Sequence, residues 1–360
     1  MLKERRSRLL EYLDPKGSNV AAIFKPENIF YITGFWGEGI ALCTSESTKL
    51  FVPKLEAKRA EIESKDCEVI STDRGADSIN SIAPYLKQLS YSDCNDYDLI
   101  TLIRNYAKDI NFVVSQEPFM KCRSIKDKYE LESIRIASAI LDTLFKICSE
   151  EIREGMTEKD LQTTLVYEAM KLGATTACYP YSVEPLIVAG GPNSAQPHAV
   201  TSSRGFVKGD MIVVDLTLRH NHYVSDATRT FALNSASQEN IHIYNTVRDA
   251  QMLGIENLKR GIKCHVIDDI CRKEISRVGF HKNFIHSTGH GVGLEVHELP
   301  WIRQKEKTLL EDNMVITVEP GIYLPSKFGV RIEDTIHIKF ESSIEEIVLT
   351  HFTKDLLILD

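Results

Sequence analysis

Residues 213–230 read VVDLTLRHNHYVSDATRT, two apolar, β-branched runs around a short polar centre, each run carrying one aspartate. Alternating residues on either side of a turn predict a β-hairpin. With His220 and Asn221 as its two-residue loop, Asp215 is expected to face Asp226 directly across the strands. Opposed Cβ atoms lie about 4.5–5.5 Å apart, and like charges there repel unless a cation sits between them. The ordinary alternative is a solvent-facing acidic pair. The run IVVD argues against it, because an apolar strand is buried and a buried carboxylate without a partner is driven to protonate. Thr228 and Arg229 are the expected hydrogen-bonding supports.

Three further stretches carry the same chemistry. HSTGHGVGLEVHE (286–298) places His290 among glycines that let the backbone come close to a ligand. TVEPGIY (317–323) and GVRIEDT (329–335) put Glu319 and Glu333 on apolar strands joined by a connection rich in proline and glycine. Strand alternation is read here as keeping Arg331 off the face of Glu333, with Asp334 a structural acid on the opposite side. Salt-bridged core glutamates and a hydrogen-bonded core histidine are the bland alternatives. The candidate metal ligands are therefore Asp215, Asp226, His290, Glu319 and Glu333. The spacing of His290 and His297 is not the HExxH of a single-zinc protease, so His297 and His198 are better suited to substrate contacts. Four carboxylates and one imidazole suit manganese or cobalt, with zinc possible. Two such ions about 3.5–4 Å apart make hydrolysis the natural chemistry.

The chain has 360 residues, more than one hydrophobic core usually serves, so two domains are expected. Its formal charge of −8 speaks against nucleic-acid or anionic-membrane partners, and two divalent ions would cancel half of it. The eight cysteines (Cys43, Cys67, Cys94, Cys122, Cys148, Cys178, Cys264 and Cys271) have no framework spacing, which predicts reduced and mostly buried thiols. MLKERRSRLLEYL is amphipathic rather than a signal peptide, and no run approaches the ~20 apolar residues of a membrane span. A cytoplasmic location follows as an expectation.

Up to about Phe119, apolar segments read as strands (NVAAIF, NIFYITGF, GIALCT, KLFVP) alternate with helical LEAKRAEIES and SINSIAPYLKQL, an α/β domain. It contains no phosphate-binding loop, dinucleotide fingerprint or histidine. A break over 115–127 precedes a helix from about Lys128 to Ile152, with Asp127 and Glu130 as a capping box. Thr157 and Asp160 start another helix, running toward Gly173. Helices over about 237–260 and up to Arg277 repeat the order before the strands of His290, Glu319 and Glu333, which suggests pseudo-symmetric halves around one site.

In order and spacing, these motifs resemble those of the pita-bread metallopeptidases, which include methionine aminopeptidase, aminopeptidase P and prolidase. The resemblance runs from Arg123 onward, and NIFYITGFWGEGIAL followed by KLFVP is similar to the creatinase-type N-terminal domain of the proline-specific branch. It implies an α/β N-terminal domain over 1–119 and an α+β pita-bread domain over 120–360 with pseudo-two-fold halves. It implies two divalent ions per subunit, with Asp215 chelating one, Asp226 and Glu333 bridging both, and His290 and Glu319 completing the other. Glu319 would also relay a proton, His198 and His297 would hold the scissile carbonyl, and Arg331 would support the site. The implied reaction is cleavage of the bond between an N-terminal residue and a following proline in short peptides, by an Xaa-Pro dipeptidase. Aminopeptidase P action on longer peptides, a metal-free creatinase-like hydrolase and a non-catalytic peptide-binding module are the alternatives. A homodimer is implied as well, with Trp36 a candidate at its border. Two departures stand out. Where close prolidase relatives carry an arginine after HE-x-P, this chain has Trp301, leaving Arg303 as the candidate reader of a substrate carboxylate, and PHG reads PHA at Ala199.

Overall fold

The computed structural model describes residues 1–13, 20–86, 89–108, 110–177, 184 and 186–360. Cys178 lies outside them, and the other seven cysteines are free thiols, six of them buried. The chain divides into two compact units, Met1–Arg123 and Ser124–Asp360.

The first unit is built on a six-stranded sheet in the order Glu68–Thr72, Thr48–Pro53, Ile40–Cys43, Val20–Ile23, Leu89–Ser92, Asn111–Val114. Val20, Leu42 and Phe51 pack with Ile79, Ile82 and Ile103 of its helices. NIFYITGF is not a strand: Pro26–Thr33 is a helix, with proline in its first turn and Gly34 capping its end at φ 82°. Proline's fixed φ suits a helix start, and glycine at C′ takes the left-handed conformation that ends one. The buried positions Ile29, Ile32 and Thr33 then have helical spacing, which a run rich in β-branched and aromatic residues conceals. The supposed break over 115–127 also contains a helix, Glu117–Ser124, with Pro118 in its first turn. Trp36 packs against Phe30, ring centroids 5.7 Å apart.

The second unit repeats one theme. Helices Lys128–Glu151 and Glu158–Lys171, each opened by a capping box (Asp127 with Glu130, Thr157 with Asp160), precede the sheet that contains Ile187–Gly190, Met211–His220 and Tyr223–Leu233. Helices Gln238–Glu256 and Cys264–Arg277 precede a sheet in the order Glu298–Ile302, Gly289–Gly291, Val315–Val318, Asp334–His337. The first helix of this second pair stops at Glu256, short of the expected Arg260. Leu141, Phe145 and Leu165 cover one sheet through Val214, Leu216 and Phe231; Ile243, Val247 and Ile267 cover the other through Ile316, Val318 and Ile336. Because side chains alternate along a strand, the residues between these apolar anchors point the other way. They are Asp215, Thr217, Asp226 and Thr228 in one half, and Thr317, Glu319, Glu333 and Thr335 in the other. None of the described helices is long and apolar enough to cross a membrane.

Candidate metal centre

The hairpin turns one residue later than its sequence suggests. Tyr223 pairs with His220, leaving Asn221 and His222 in the loop at φ 45° and 73°. A two-residue loop with both φ values positive matches the twist of the flanking strands, and asparagine accepts that conformation readily. Asp226 therefore opposes Thr217, and Thr228 opposes Asp215. The two aspartates are diagonal neighbours rather than direct partners, but the shift preserves parity and both remain on one face.

An isolated β-bridge between Thr228 and Glu333 helps join the second half to the hairpin, the Glu333 N–H donating to the Thr228 carbonyl at 3.1 Å. Ligand-competent atoms of Asp226, His290 and Glu333 all lie within 4.8 Å of one another. His290 Nε2 lies 3.4 Å from Glu319 Oε1 and 4.0 Å from Asp226 Oδ2. His290 reaches this position on a strand of glycines: a Cβ at Gly289 would run into the Thr317 carbonyl, and one at Gly291 into that of Leu299.

Threonines hold the acids in place. Thr217 donates to Asp226 Oδ1 at 2.9 Å, Thr228 donates to Glu333 Oε2 at 2.7 Å, and the Asp226 N–H donates to Thr335 Oγ1. Thr317 accepts the His290 N–H. Thr228 is the support the sequence suggests, whereas Thr217, Thr317 and Thr335 were passed over, although the signal was present: each acid has a threonine two positions away, in DLT, DAT, TVE and EDT.

Arg331 overturns its expected placement. It shares the face of Glu333, as residues two apart on an extended chain do. Its Nη2 donates to Asp215 Oδ2 at 2.5 Å, Nε to Thr228 Oγ1 at 3.1 Å, and Nη1 to Tyr323 Oη at 2.7 Å. Tyr323 in turn meets His286 Nε2 at 2.9 Å, a pair absent from the candidate residues above. On the far side of the strand Asp334 is the expected structural acid, accepting from Arg229, Lys354, Gln251 and Thr350. Arg229 also donates to the Glu333 carbonyl at 2.6 Å.

Electrostatics set this cluster apart from an ordinary core. Burial, reinforced by the charge of Glu333, raises Asp226 and Glu319 well above the usual carboxylate range; burial and Asp215 push Glu333 up to about 8. Burial lowers His290 as well, with His297 adding to the effect. Asp215 Oδ1 is buried with no hydrogen-bond donor among the described residues. Four inward acids against one arginine, an unsatisfied carboxylate oxygen and a neutral imidazole are the donor set that hard or borderline divalent cations take.

The cluster opens into a cavity of about 250 Å³, which His198, His286, His297, Trp301, Leu186 and Val296 also line. His297 stacks on Trp301 with centroids 5.8 Å apart, and burial brings it down to about 4. Arg303 does not line this cavity: its guanidinium lies over the Trp301 ring, 5.3 Å from the centroid, and its side chain is 54% exposed.

A chain with this arrangement has close counterparts. The model of metallopeptidase family M24 matches residues 132–339, and that of the creatinase/prolidase N-terminal domain matches residues 5–125. The chain belongs to metallopeptidase family M24, whose members depend on divalent metal ions. It is 35% identical to the Xaa-Pro dipeptidase of Pyrococcus furiosus over 94% of this chain and 95% of that one. The crystal structure of the prolidase from Pyrococcus horikoshii superposes with a TM-score of 0.90 at 34% identity, covering 98% of this chain and 100% of that one. An X-Pro aminopeptidase from Thermotoga maritima gives 0.86 at 30% identity, covering 99% and 100%.

Proposed function

We propose that this chain is a metal-dependent hydrolase that cleaves the bond between an N-terminal residue and a following proline, acting as an Xaa-Pro dipeptidase. The observation that carries the reading is the set of four inward acids and one buried histidine that line a peptide-sized cavity. Relatives named for the same activity over nearly the whole length support it.

In this reading Asp215, Asp226, His290, Glu319 and Glu333 would hold the two ions. Manganese or cobalt suits the donors best, and zinc is an alternative. Bound there, the ions supply Lewis-acid chemistry that activates water and polarises the scissile carbonyl. Glu319, as the carboxylate, takes the proton of the attacking water and passes it to the leaving nitrogen. His297, neutral near pH 7 because burial brings it to about 4, offers an N–H to the carbonyl without adding charge, and His198 lines the cavity with it. Arg331 holds Asp215 in its orientation through Nη2.

Turnover of Met-Pro beside Met-Pro-Ala, with protein stripped of metal and then given manganese, cobalt or zinc, tests the reading. Cleavage of the dipeptide alone supports an Xaa-Pro dipeptidase. Preference for the longer peptide makes the chain an aminopeptidase P, a reading favoured by its likeness to the Thermotoga maritima enzyme. No cleavage with any metal, together with no stoichiometric metal, favours a non-catalytic peptide-binding module. A homodimer and a cytoplasmic location belong to the same reading; a light-scattering mass of one chain would remove the first.

A further inference from the structure

One buried charge pair touches neither the cavity nor the acid cluster. Glu298 and Lys126 have fully buried side chains, with Lys126 Nζ 3.4 Å from Glu298 Oε2. Glu298 directly follows His297, but whereas Val296, His297 and Trp301 line the cavity, the Glu298 carboxylate turns into the 293–298 loop. There its Oε1 accepts the N–H groups of Leu294 at 3.0 Å and Glu295 at 3.1 Å. A Cβ at Gly293 would strike this carboxylate, so the glycine lets the loop close around it. The Gly293 carbonyl accepts the Val224 N–H at 2.7 Å, tying the loop to the strand of Asp226. Lys126 is itself pinned, since its N–H donates to the Asn313 carbonyl at 2.9 Å and Ile125 bridges Met314.

A buried ion pair contributes little net stability over an apolar pair of the same volume, but it fixes geometry because either charge is costly to leave alone. The loop it fixes holds His297 with its ring centroid 4.2 Å from that of His290. We infer that Lys126 and Glu298 are positioning residues that set the His297 imidazole against the metal-ligand cluster. This rests on the proposed function only in giving His297 a role toward substrate.

Glu298→Gln keeps the shape and the Oε1 acceptor but removes the counter-charge of Lys126. In the full chain with metal, kcat on Met-Pro is expected to fall about 10- to 100-fold, while KM and metal stoichiometry hold. Because Glu298 acts through His297, the same change made on His297→Ala is expected to lower kcat no further. Effects that multiply across the two backgrounds, or an unchanged kcat, would overturn the inference. If Glu298→Gln does not fold, Lys126→Met/Glu298→Gln removes both charges and takes its place in the cycle. The His297 ring nitrogens, assigned by their loss in His297→Ala, give a readout independent of activity. Their ¹⁵N shifts are expected to move in either variant, with or without metal, and unchanged shifts would also overturn the inference. If the wild type cleaves no Xaa-Pro peptide with any metal, the proposed function falls and the ring shifts still decide the positioning.

Discussion

The Thr228 hydroxyl donates to Glu333 at 2.7 Å while accepting from Arg331 at 3.1 Å, so one small side chain orients an acid from one half of the unit and the cation beside it. Thr228→Val removes both contacts at nearly constant volume. Metal affinity is expected to fall about 10- to 100-fold, with Thr228→Ser recovering most of it. Metal titration of the stripped protein measures this, and unchanged affinity would remove the orienting role.

The proposed ligand acids have no such substitute. Asp226→Ala and Glu333→Ala are expected to abolish metal-dependent turnover, and His198→Ala to cause a milder loss. Full turnover by either acid variant would sink the mechanism.

Metal binding is expected to release protons. Without metal, Glu333 sits at about 8, so it carries its proton at pH 7 and must give it up to act as a ligand. Calorimetric titration with manganese in two buffers of different ionisation enthalpy reads the release directly, and heats independent of buffer would contradict it.

The same shift has a stability consequence. A carboxyl raised from 4.5 to about 8 binds its proton more tightly in the folded chain, so its contribution falls as pH rises through that window. His286 at about 3 and His297 at about 4 lie below the ordinary 6.5, so they lower stability as pH falls beneath 6.5. Between pH 6.5 and 8 only the carboxyl effect operates, and the melting temperature of metal-free protein is expected to drop across that interval. Asp226→Asn, which relieves part of the repulsion, is expected to raise it at pH 8. A melting temperature that climbs with pH in this range would show that the acids are not held together without metal.

Behind the site, Arg229 is 1% exposed and bonds Asp334 together with the carbonyls of Glu333, Phe352 and Thr353. Arg229→Ala is expected to cost about 3–5 kcal/mol by stranding a buried carboxylate and several acceptors. Denaturant unfolding of the metal-free protein measures it, and a loss within the range of surface substitutions would contradict the assignment.

Arg303 lies outside the cavity, so Arg303→Ala is expected to leave the ratio of Met-Pro to Met-Pro-Ala turnover unchanged. Selective loss of the dipeptide would give Arg303 the carboxylate after all.

The acids and His290 were legible because carboxylates on apolar strands violate the ordinary pattern of burial, and period-two alternation then assigns their face. What local pattern does not contain was lost. The hairpin register depended on which two residues accept positive φ, and NIFYITGF concealed a helix because its β-branched residues also suit a strand. Arg331 was misplaced by a wrong use of alternation, and of the threonines two positions from the acids only Thr228 was used. The partnership of Lys126 with Glu298 joins residues 172 positions apart, which no local reading reaches.

Thr228 and Glu333, which bridge the two halves, are 105 residues apart, whereas Asp215 and Asp226 share one tight hairpin. A chain emerging during synthesis therefore displays its aspartate pair long before His290, Glu319 and Glu333 exist to complete the set. If these five residues hold the ions as proposed, firm capture of a cation waits until the second helix pair and its sheet have docked, and metal loading would then follow folding rather than seed it.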